Sequence, residues 1–323
     1  MPLAVTVTAP SRLHFGLLSF GGQGRQFGGV GAMVDGVGVV LQVRAAERLT
    51  ARGEYAARVE QFARRWQEFH RRVELPCEMA VTDAPQEHTG LGVGTQLGLS
   101  VAAGLSAFFH LPPQTPVELA ISVGRGQRSA VGTYGFALGG LIVERGKLPG
   151  EAISPLDCHL DLPAQWGAFL ARPRGAAGLA NIAEAQAFAE LPRVPTAISD
   201  ELIRIVREEL VPVAAQADFA AFSAAVYRYG RLSGECFAPL QGGPYNGPEA
   251  TAIVELFRAH GLVGVGQSSW GPTIFAFTES NEQAQRLAPA LSAALRAHES
   301  EGVELLYGPV NNGGARIEVS DSG

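Results

Sequence analysis

The chain has 323 residues, 46% of them hydrophobic and 17% charged, with a formal net charge of −6, which is enough apolar material for one large or two ordinary cores. An acidic balance excludes a general attraction to nucleic acid or anionic membrane, so an anionic ligand must be held by local arginines and backbone amides. Three scattered cysteines without zinc or CxxC spacing, an alternating N-terminus unlike a signal peptide, and no run long enough to span a bilayer set the expectation of a cytoplasmic protein with neither membrane nor nucleic-acid partner.

In chain order, residues 3 to 8 read as a strand. After the Pro10 break, Ser11-Arg12-Leu13-His14-Phe15-Gly16-Leu17-Leu18 reads as another, with Arg12 and His14 projecting from one face. A glycine-rich loop, Gly21 to Gly31, follows and contains Gly28 and Gly29. Binding residues concentrate on loops beside rigid strands, so His14 reads equally as a packed histidine and as a functional one. Val37 to Val43 is a further strand. From Glu54 to Leu75, apolar residues three or four apart (Tyr55, Val59, Phe62, Trp66, Phe69, Val73) predict an amphipathic helix whose aromatic stripe is core.

A short strand, Cys77 to Val81, leads to His88-Thr89-Gly90-Leu91-Gly92-Val93-Gly94-Thr95-Gln96, where glycines alternate just ahead of a predicted helix, Leu97 to Phe109. Glycine permits positive φ and close approach to a ligand, and a helix start offers unpaired N–H groups. The stretch therefore reads as an anion-binding loop or, without a ligand, as a tight strand-to-helix turn. It is neither a Walker A loop nor a clean dinucleotide fingerprint.

Pro116 opens a helix to Val123. Gly124 to Phe136 is expected as a loop carrying Arg125, Arg128, Ser129 and Thr133 among glycines. It is suited to gripping phosphate or carboxylate, or else is a turn with solvated arginines. Leu138 to Glu144 is a strand, the pattern loosens over Pro149 to Asp161, and a boundary near Leu162-Pro163 divides the chain into domains 1–162 and 163–323.

The second half reads as a strand (Trp166 to Ala171), a loop (Gly175 to Asn181), helices over Asp200 to Val211 and Asp218 to Leu232, an irregular Phe237 to Tyr245, and a helix from Pro248 to His260. A third glycine loop, Gly264-Val265-Gly266-Gln267-Ser268-Ser269-Trp270-Gly271-Pro272-Thr273, enters a strand ending at Phe277. A helix from Asn281 to His298 and strands at Glu304 to Tyr307 and Arg316 to Val319 complete the chain. Such alternation argues for a layered α+β or α/β module. Three glycine-rich loops with hydroxyls, a glutamine and arginines suggest an interdomain cleft for an extended phosphorylated ligand.

The blocks Arg12-Leu13-His14-Phe15-Gly16-Leu17, Phe27-Gly28-Gly29-Val30-Gly31, Gly90-Leu91-Gly92 with Gly94-Thr95-Gln96, Arg128-Ser129 with Gly132-Thr133-Tyr134, Phe237-Ala238-Pro239 with Gln241-Gly242-Gly243, and Gly264 to Thr273 resemble the GHMP kinase superfamily. Within it they are most similar to the beta-ribofuranosylaminobenzene 5'-phosphate synthase family. The resemblance spans nearly the whole chain. It implies an α+β, two-domain GHMP kinase-like fold with a ribosomal protein S5 domain 2-like N-terminal domain and a ferredoxin-like C-terminal domain.

Two departures from the kinases stand out: Gly94-Thr95-Gln96 replaces the serines of a Gly-Leu-Gly-Ser-Ser loop, and Ser129 to Tyr134 holds no carboxylate. Both favour the synthase over the alternatives, an ATP-dependent small-molecule kinase or a non-catalytic phosphometabolite-binding protein. The implied reaction condenses 5-phosphoribosyl-1-pyrophosphate with 4-aminobenzoate, releasing pyrophosphate and CO₂, on the way to a methanopterin-type C1 carrier. Mg²⁺ on the leaving group and a homodimer are implied as well. Pyridoxal phosphate, nicotinamide and flavin are not, and Lys147 is the chain's single lysine.

Carried onto this chain, the resemblance implies that Arg12 and Arg128 hold pyrophosphate or the benzoate carboxylate, and that His14 handles or orients a proton. Gly90, Gly92 and Gly94 offer amides beside Thr95 and Gln96, while Gly264, Gly266, Gln267, Ser268 and Ser269 face them from the second half. Ser11, Gly28, Gly29, Ser129 and Thr133 complete the substrate set. Asp35 reads as a turn residue, with metal binding as its alternative.

Overall fold

Threonines alternating with small apolar residues carry the first strand straight through Pro10. β1 (Ala4–Leu17) is one strand, not two, because a register shift between Ala9 and Ser11 takes up the proline and a second lies between His14 and Gly16. Proline is tolerated in a sheet at such bulges. The computed structural model describes residues 4–174, 181–297 and 302–320; the expected loop at 175–180 lies outside them.

β2 (Gly29–Ala45) pairs antiparallel with β1 and absorbs the end of the predicted glycine loop. β3 (Thr50–Arg52), α1 (Ala56–Phe69) and β4 (Cys77–Asp83) follow. α1 buries Val59, Phe62, Ala63 and Trp66 as its spacing predicts, yet it stops at Phe69. Arg71 turns left-handed (φ 51), which leaves Val73 91% exposed. Next come α2 (Val93–Phe108), α3 (Pro116–Ser122), α4 (Val131–Leu138), β5 (Leu141–Glu144) and β6 (Leu156–Leu160).

α3 opens on Thr115 and Glu118 in a reciprocal capping box. α4 corrects the expected loop: Gly132 and Gly135 serve close packing there, a Cβ on Gly135 falling 2.3 Å from the Met33 sulfur. β6 is likewise a strand where no pattern was read.

The second half holds β7 (Gly167–Pro173), α5 (Asn181–Glu190), α6 (Thr196–Arg204), a π-helical turn at Ile205–Leu210, α7 (Val211–Ala215), α8 (Phe219–Glu235), α9 (Ala238–Gln241) and α10 (Gly247–Ala259). It ends with β8 (Val265–Gln267), β9 (Ile274–Thr278), α11 (Asn281–Ala297), β10 (Val303–Pro309) and β11 (Arg316–Ser320). Asp218 caps α8 by accepting from the Ala221 amide.

The first sheet has seven strands in the order β11-β1-β2-β4-β3, with β5 on β2 and β6 on β5. The second has four in the order β10-β7-β9-β8, all antiparallel. This is the fourth-first-third-second order of a ferredoxin-like sheet. β11 returns to pair with β1, so the last strand of the second half lies in the first sheet.

Where the sheets meet, Phe15 packs on Phe275 and Phe277 (ring centres 5.3 and 5.7 Å), and Phe222 packs on Phe277 (5.3 Å). The junction behind the glycine loops is therefore a continuous core. No helix among the described residues is long and apolar enough to cross a membrane.

Candidate active site

Gly90 (φ 91) and Gly92 (φ 76) take left-handed conformations that make the turn into α2. Gly92 is the N-cap. Helical bonding starts with the Thr95 and Gln96 amides on its carbonyl (2.9 and 3.0 Å), so the earlier amides stand outside the helix's own ladder. No acidic residue occupies the first turn, leaving the positive end of the dipole for an anion. A Cβ on Gly92 would lie 3.0 Å from Arg12 Nε, so this glycine also lets Arg12 lie across the loop.

Three chain segments clamp together here. The Ser268 hydroxyl donates to the Gly90 carbonyl (2.7 Å) and accepts from the His14 amide (3.0 Å). The Ser269 amide donates to His14 O (3.1 Å), Thr273 N to Thr89 O (3.3 Å) and Arg12 N to Leu91 O (3.0 Å). A Cβ on Gly90 would meet Ser268 O at 2.3 Å, and one on Gly271 would meet Gly90 N at 2.2 Å.

Beside the clamp opens a cavity of about 410 Å³. One end, around Gly94, is cationic. Arg12, Arg58 and Arg125 line it together with Glu87; Arg125 donates to Thr95 Oγ1 (3.0 Å), and Arg58 Nε stands 3.7 Å from Glu87 Oε1. The other end is aromatic. Trp270 lies against Phe188 (4.7 Å) and Phe237 (5.0 Å), and the Arg128 guanidinium sits 5.5 Å from the Phe188 ring centre.

His14 and Ser129 line the wall as well, with His14 Nε2 at 3.1 Å from Ser129 Oγ. Ser129 in turn donates to Glu144 Oε1 (2.6 Å), which also accepts from the Ala130 amide (2.8 Å). Burial, reinforced by the Arg12 charge, holds His14 well below its ordinary value. Burial lifts Glu144 to about 7, against the opposing pull of its hydrogen bonds from Ser129 and Ala130.

Of the expected site residues, Arg12, His14, Arg128 and Ser129 line this cavity, as do Gly90, Gly92, Gly94 and Thr95 from the loop and Gln267 and Ser269 from the second half. The others sit elsewhere. Ser268 is the buried clamp, and Gln96 donates its Nε2 to Gly132 O (2.9 Å) inside the core. Ser11 and Thr133 are buried in β1 and α4. Gly264 packs on Ser223, Gly266 on the Phe275 ring and Gly28 on the Arg145–Gly146 backbone, while Gly29 backs the His14 ring at 3.0 Å from a notional Cβ.

Asp35 is exposed and accepts from Asn311 Nδ2 (2.9 Å), away from the cavity. Among the described residues no three His, Cys, Asp or Glu side chains gather for a metal. Sequence reading missed Arg58, Glu87, Glu144 and Phe188. Arg125, Phe237 and Trp270 stood inside quoted motifs and were visible there. Glu144 had no local signal: the carboxylate absent from Ser129 to Tyr134 arrives from the end of β5.

The family described as GHMP kinases C terminal matches residues 210–297. A beta-ribofuranosylphenol 5'-phosphate synthase of Methanothermobacter thermautotrophicus is 28% identical over 302 residues, 86% of this chain and 90% of that protein. One of Archaeoglobus fulgidus is 28% identical over 330 residues, 96% and 98% of the two chains.

In fold, the chain is similar to homoserine kinase from Cytophaga hutchinsonii (TM-score 0.68, 18% identity, 98% of each chain). It is also similar to mevalonate pyrophosphate decarboxylase from Streptococcus pyogenes (TM-score 0.67, 8% identity, 96% and 98%). The ferredoxin-like second sheet and the likeness to the solved kinases and decarboxylases give the chain the GHMP kinase fold, and along most of its length its sequence is similar to two beta-ribofuranosylphenol 5'-phosphate synthases.

Proposed function

We propose that the protein is an aryl ribofuranosyl-phosphate synthase, joining 5-phosphoribosyl-1-pyrophosphate to a 4-substituted benzoate with loss of pyrophosphate and CO₂. One observation carries this reading: a single cavity joins a glycine-turn end with three arginines to an end walled by three aromatic rings. A phosphorylated sugar fits the first and an aryl ring the second. The names of the two relatives support 4-hydroxybenzoate as acceptor, and the motif resemblance supports 4-aminobenzoate.

As the anomeric C–O bond breaks, negative charge builds on pyrophosphate, where Arg12, Arg58, Arg125 and the α2 amides are placed to receive it. The ring carbon bearing the carboxylate bonds to ribose C1. The bond to the carboxylate then breaks, and its electron pair restores the aromatic ring as CO₂ leaves. Glu87 is the carboxylate at the cationic end that would hold Mg²⁺, its Oε1 now ion-paired with Arg58 at 3.7 Å, and Mg²⁺ commonly binds through one or two carboxylates plus substrate phosphates. Bound Mg²⁺ would neutralise charge on the departing pyrophosphate.

The test is incubation with 5-phosphoribosyl-1-pyrophosphate and carboxyl-labelled 4-aminobenzoate or 4-hydroxybenzoate. Release of labelled CO₂ with either acid supports the synthase, and the faster acid identifies the acceptor. ATP consumption with an alcohol instead would make the protein a kinase, and binding without turnover a phosphometabolite-binding module.

A further inference from the structure

Glu144 is fully buried, yet it is one hydrogen bond from a residue that lines the cavity. Its Oε1 accepts from Ser129 and from the Ala130 amide, and Ser129 Oγ is 3.1 Å from His14 Nε2. The residue also borders a second cavity of about 460 Å³. We infer that Glu144 is a positioning residue of the active site: through the Ser129 hydroxyl it sets which ring nitrogen of His14 carries the proton.

The chain of donors allows two arrangements. With Glu144 ionised, Ser129 donates to Oε1 and its oxygen accepts from His14 Nε2–H. With Glu144 protonated, the carboxyl donates to Ser129, and the hydroxyl proton turns to His14 Nε2. That nitrogen must then be unprotonated, and the ring carries its proton on Nδ1. The net change is one proton gained from solvent, on Glu144. The ring exchanges its own proton between nitrogens and stays neutral in both arrangements, as its burial beside Arg12 requires.

Several charged and titratable groups face this chain. Burial raises the phenols of Tyr134 from α4 and Tyr229 from α8, and the Glu144 charge adds to both. Arg145, just past the end of β5, is paired with Asp157, which also meets Arg207. Arg25 and Arg193 border the second cavity, Arg25 paired with Glu151. None of these hydrogen-bonds to Glu144; the groups that do pull its carboxyl down are the Ser129 and Ser154 hydroxyls and the Ala130 and Val131 amides, and of these only Ser129 touches His14.

The consequence for catalysis rests on the synthase reading; the switch itself does not. An ionised Glu144 behind Ser129 favours the positive charge that develops on ribose C1, so kcat/KM should rise with pH through about 7. The experiment is ¹⁵N NMR of histidine-labelled protein across neutrality, with His14 assigned against a His14→Asn variant. In the wild type the His14 ring nitrogens should exchange protonated and unprotonated shifts with a midpoint near 7, while Glu144→Gln and Ser129→Ala hold one pattern throughout.

If Glu144→Gln fails to fold, the wild type and Ser129→Ala still decide. A wild-type His14 that keeps one tautomer at every pH, or a Ser129→Ala protein that titrates like the wild type, overturns the proposal. An unchanged rising limb of kcat/KM in folded Glu144→Gln overturns its catalytic half. A working switch in a protein that does not turn over phosphoribosyl pyrophosphate with an aryl acid counts against the synthase reading alone.

Discussion

Replacing Ser268 by Ala separates a structural clamp from a phosphate ligand. The hydroxyl is completely buried and bridges two backbone groups on different segments, accepting from the His14 amide and donating to the Gly90 carbonyl. Alanine leaves both without a partner. A buried backbone group stripped of its hydrogen bond loses about 1–3 kcal/mol. The Gly90 side is partly open to water and sits at the low end, so the loss should total about 2–4 kcal/mol. Urea unfolding should show a lower midpoint at unchanged slope. Calorimetric titration with inorganic pyrophosphate should show weaker binding as well, because the released Gly90 carbonyl loosens the turn that presents the α2 amides. A Ser268→Ala protein that unfolds at the wild-type midpoint while losing pyrophosphate affinity would refute this reasoning, since Ser268 would then act as a ligand.

Gly90→Ala should destabilise far more than Gly242→Ala. Both positions are left-handed (φ 91 and 81), but a Cβ at Gly90 falls 2.3 Å from Ser268 O while nothing lies within 4 Å at Gly242; equal melting temperatures would contradict the close approach. Trp270→Ala removes one wall of the aromatic end and should raise KM for the aryl acid about tenfold, an aromatic contact being worth on the order of 1.4 kcal/mol. KM for phosphoribosyl pyrophosphate should change little, and a parallel loss for both substrates would count against the division of the cavity. Glu87→Gln should weaken the Mg²⁺ dependence of pyrophosphate binding, measured by titrating Mg²⁺ at fixed pyrophosphate; an unaltered curve removes Glu87 as a ligand.

Glu144 also predicts a pH dependence of stability. Its folded value of about 7 lies above its ordinary 4.5, so the native state binds more protons between those values. The wild type is therefore favoured by this group at low pH and loses that advantage as pH rises through the window. Glu144→Gln should gain about 3 kcal/mol relative to the wild type from acid to mildly alkaline pH; a constant difference in denaturation free energy would speak against the buried titration.

Much of the fold was legible because local patterns carry it. The three-to-four spacing of Val59, Phe62 and Trp66, the helix start at Pro116, and the alternation in β1 each depend on a few neighbouring residues. α4 was misread because Gly135, a residue type that usually marks turns, here lets a helix approach Met33, and that partner belongs to a distant strand. β6 and the return of β11 to β1 are likewise set by sheet neighbours far off in the chain.

The same division runs through the site. Glycine spacing by itself identified the Gly90–Gly94 turn, since left-handed φ at a helix start is a backbone property of those residues. The arginine at position 12 and the serine at 129 followed from their motifs. Only the tertiary structure decided that Ser268 is hydrogen-bonded to the backbone of the turn, that Gln96 faces the core, that Asp35 stands apart, that Phe188 and Arg58 line the cavity, and that Glu144 stands behind Ser129. The physical reason is that a hydroxyl's partner, or the burial that lifts a carboxyl, is fixed by which distant segments pack against it, and residue type and spacing carry no record of that packing.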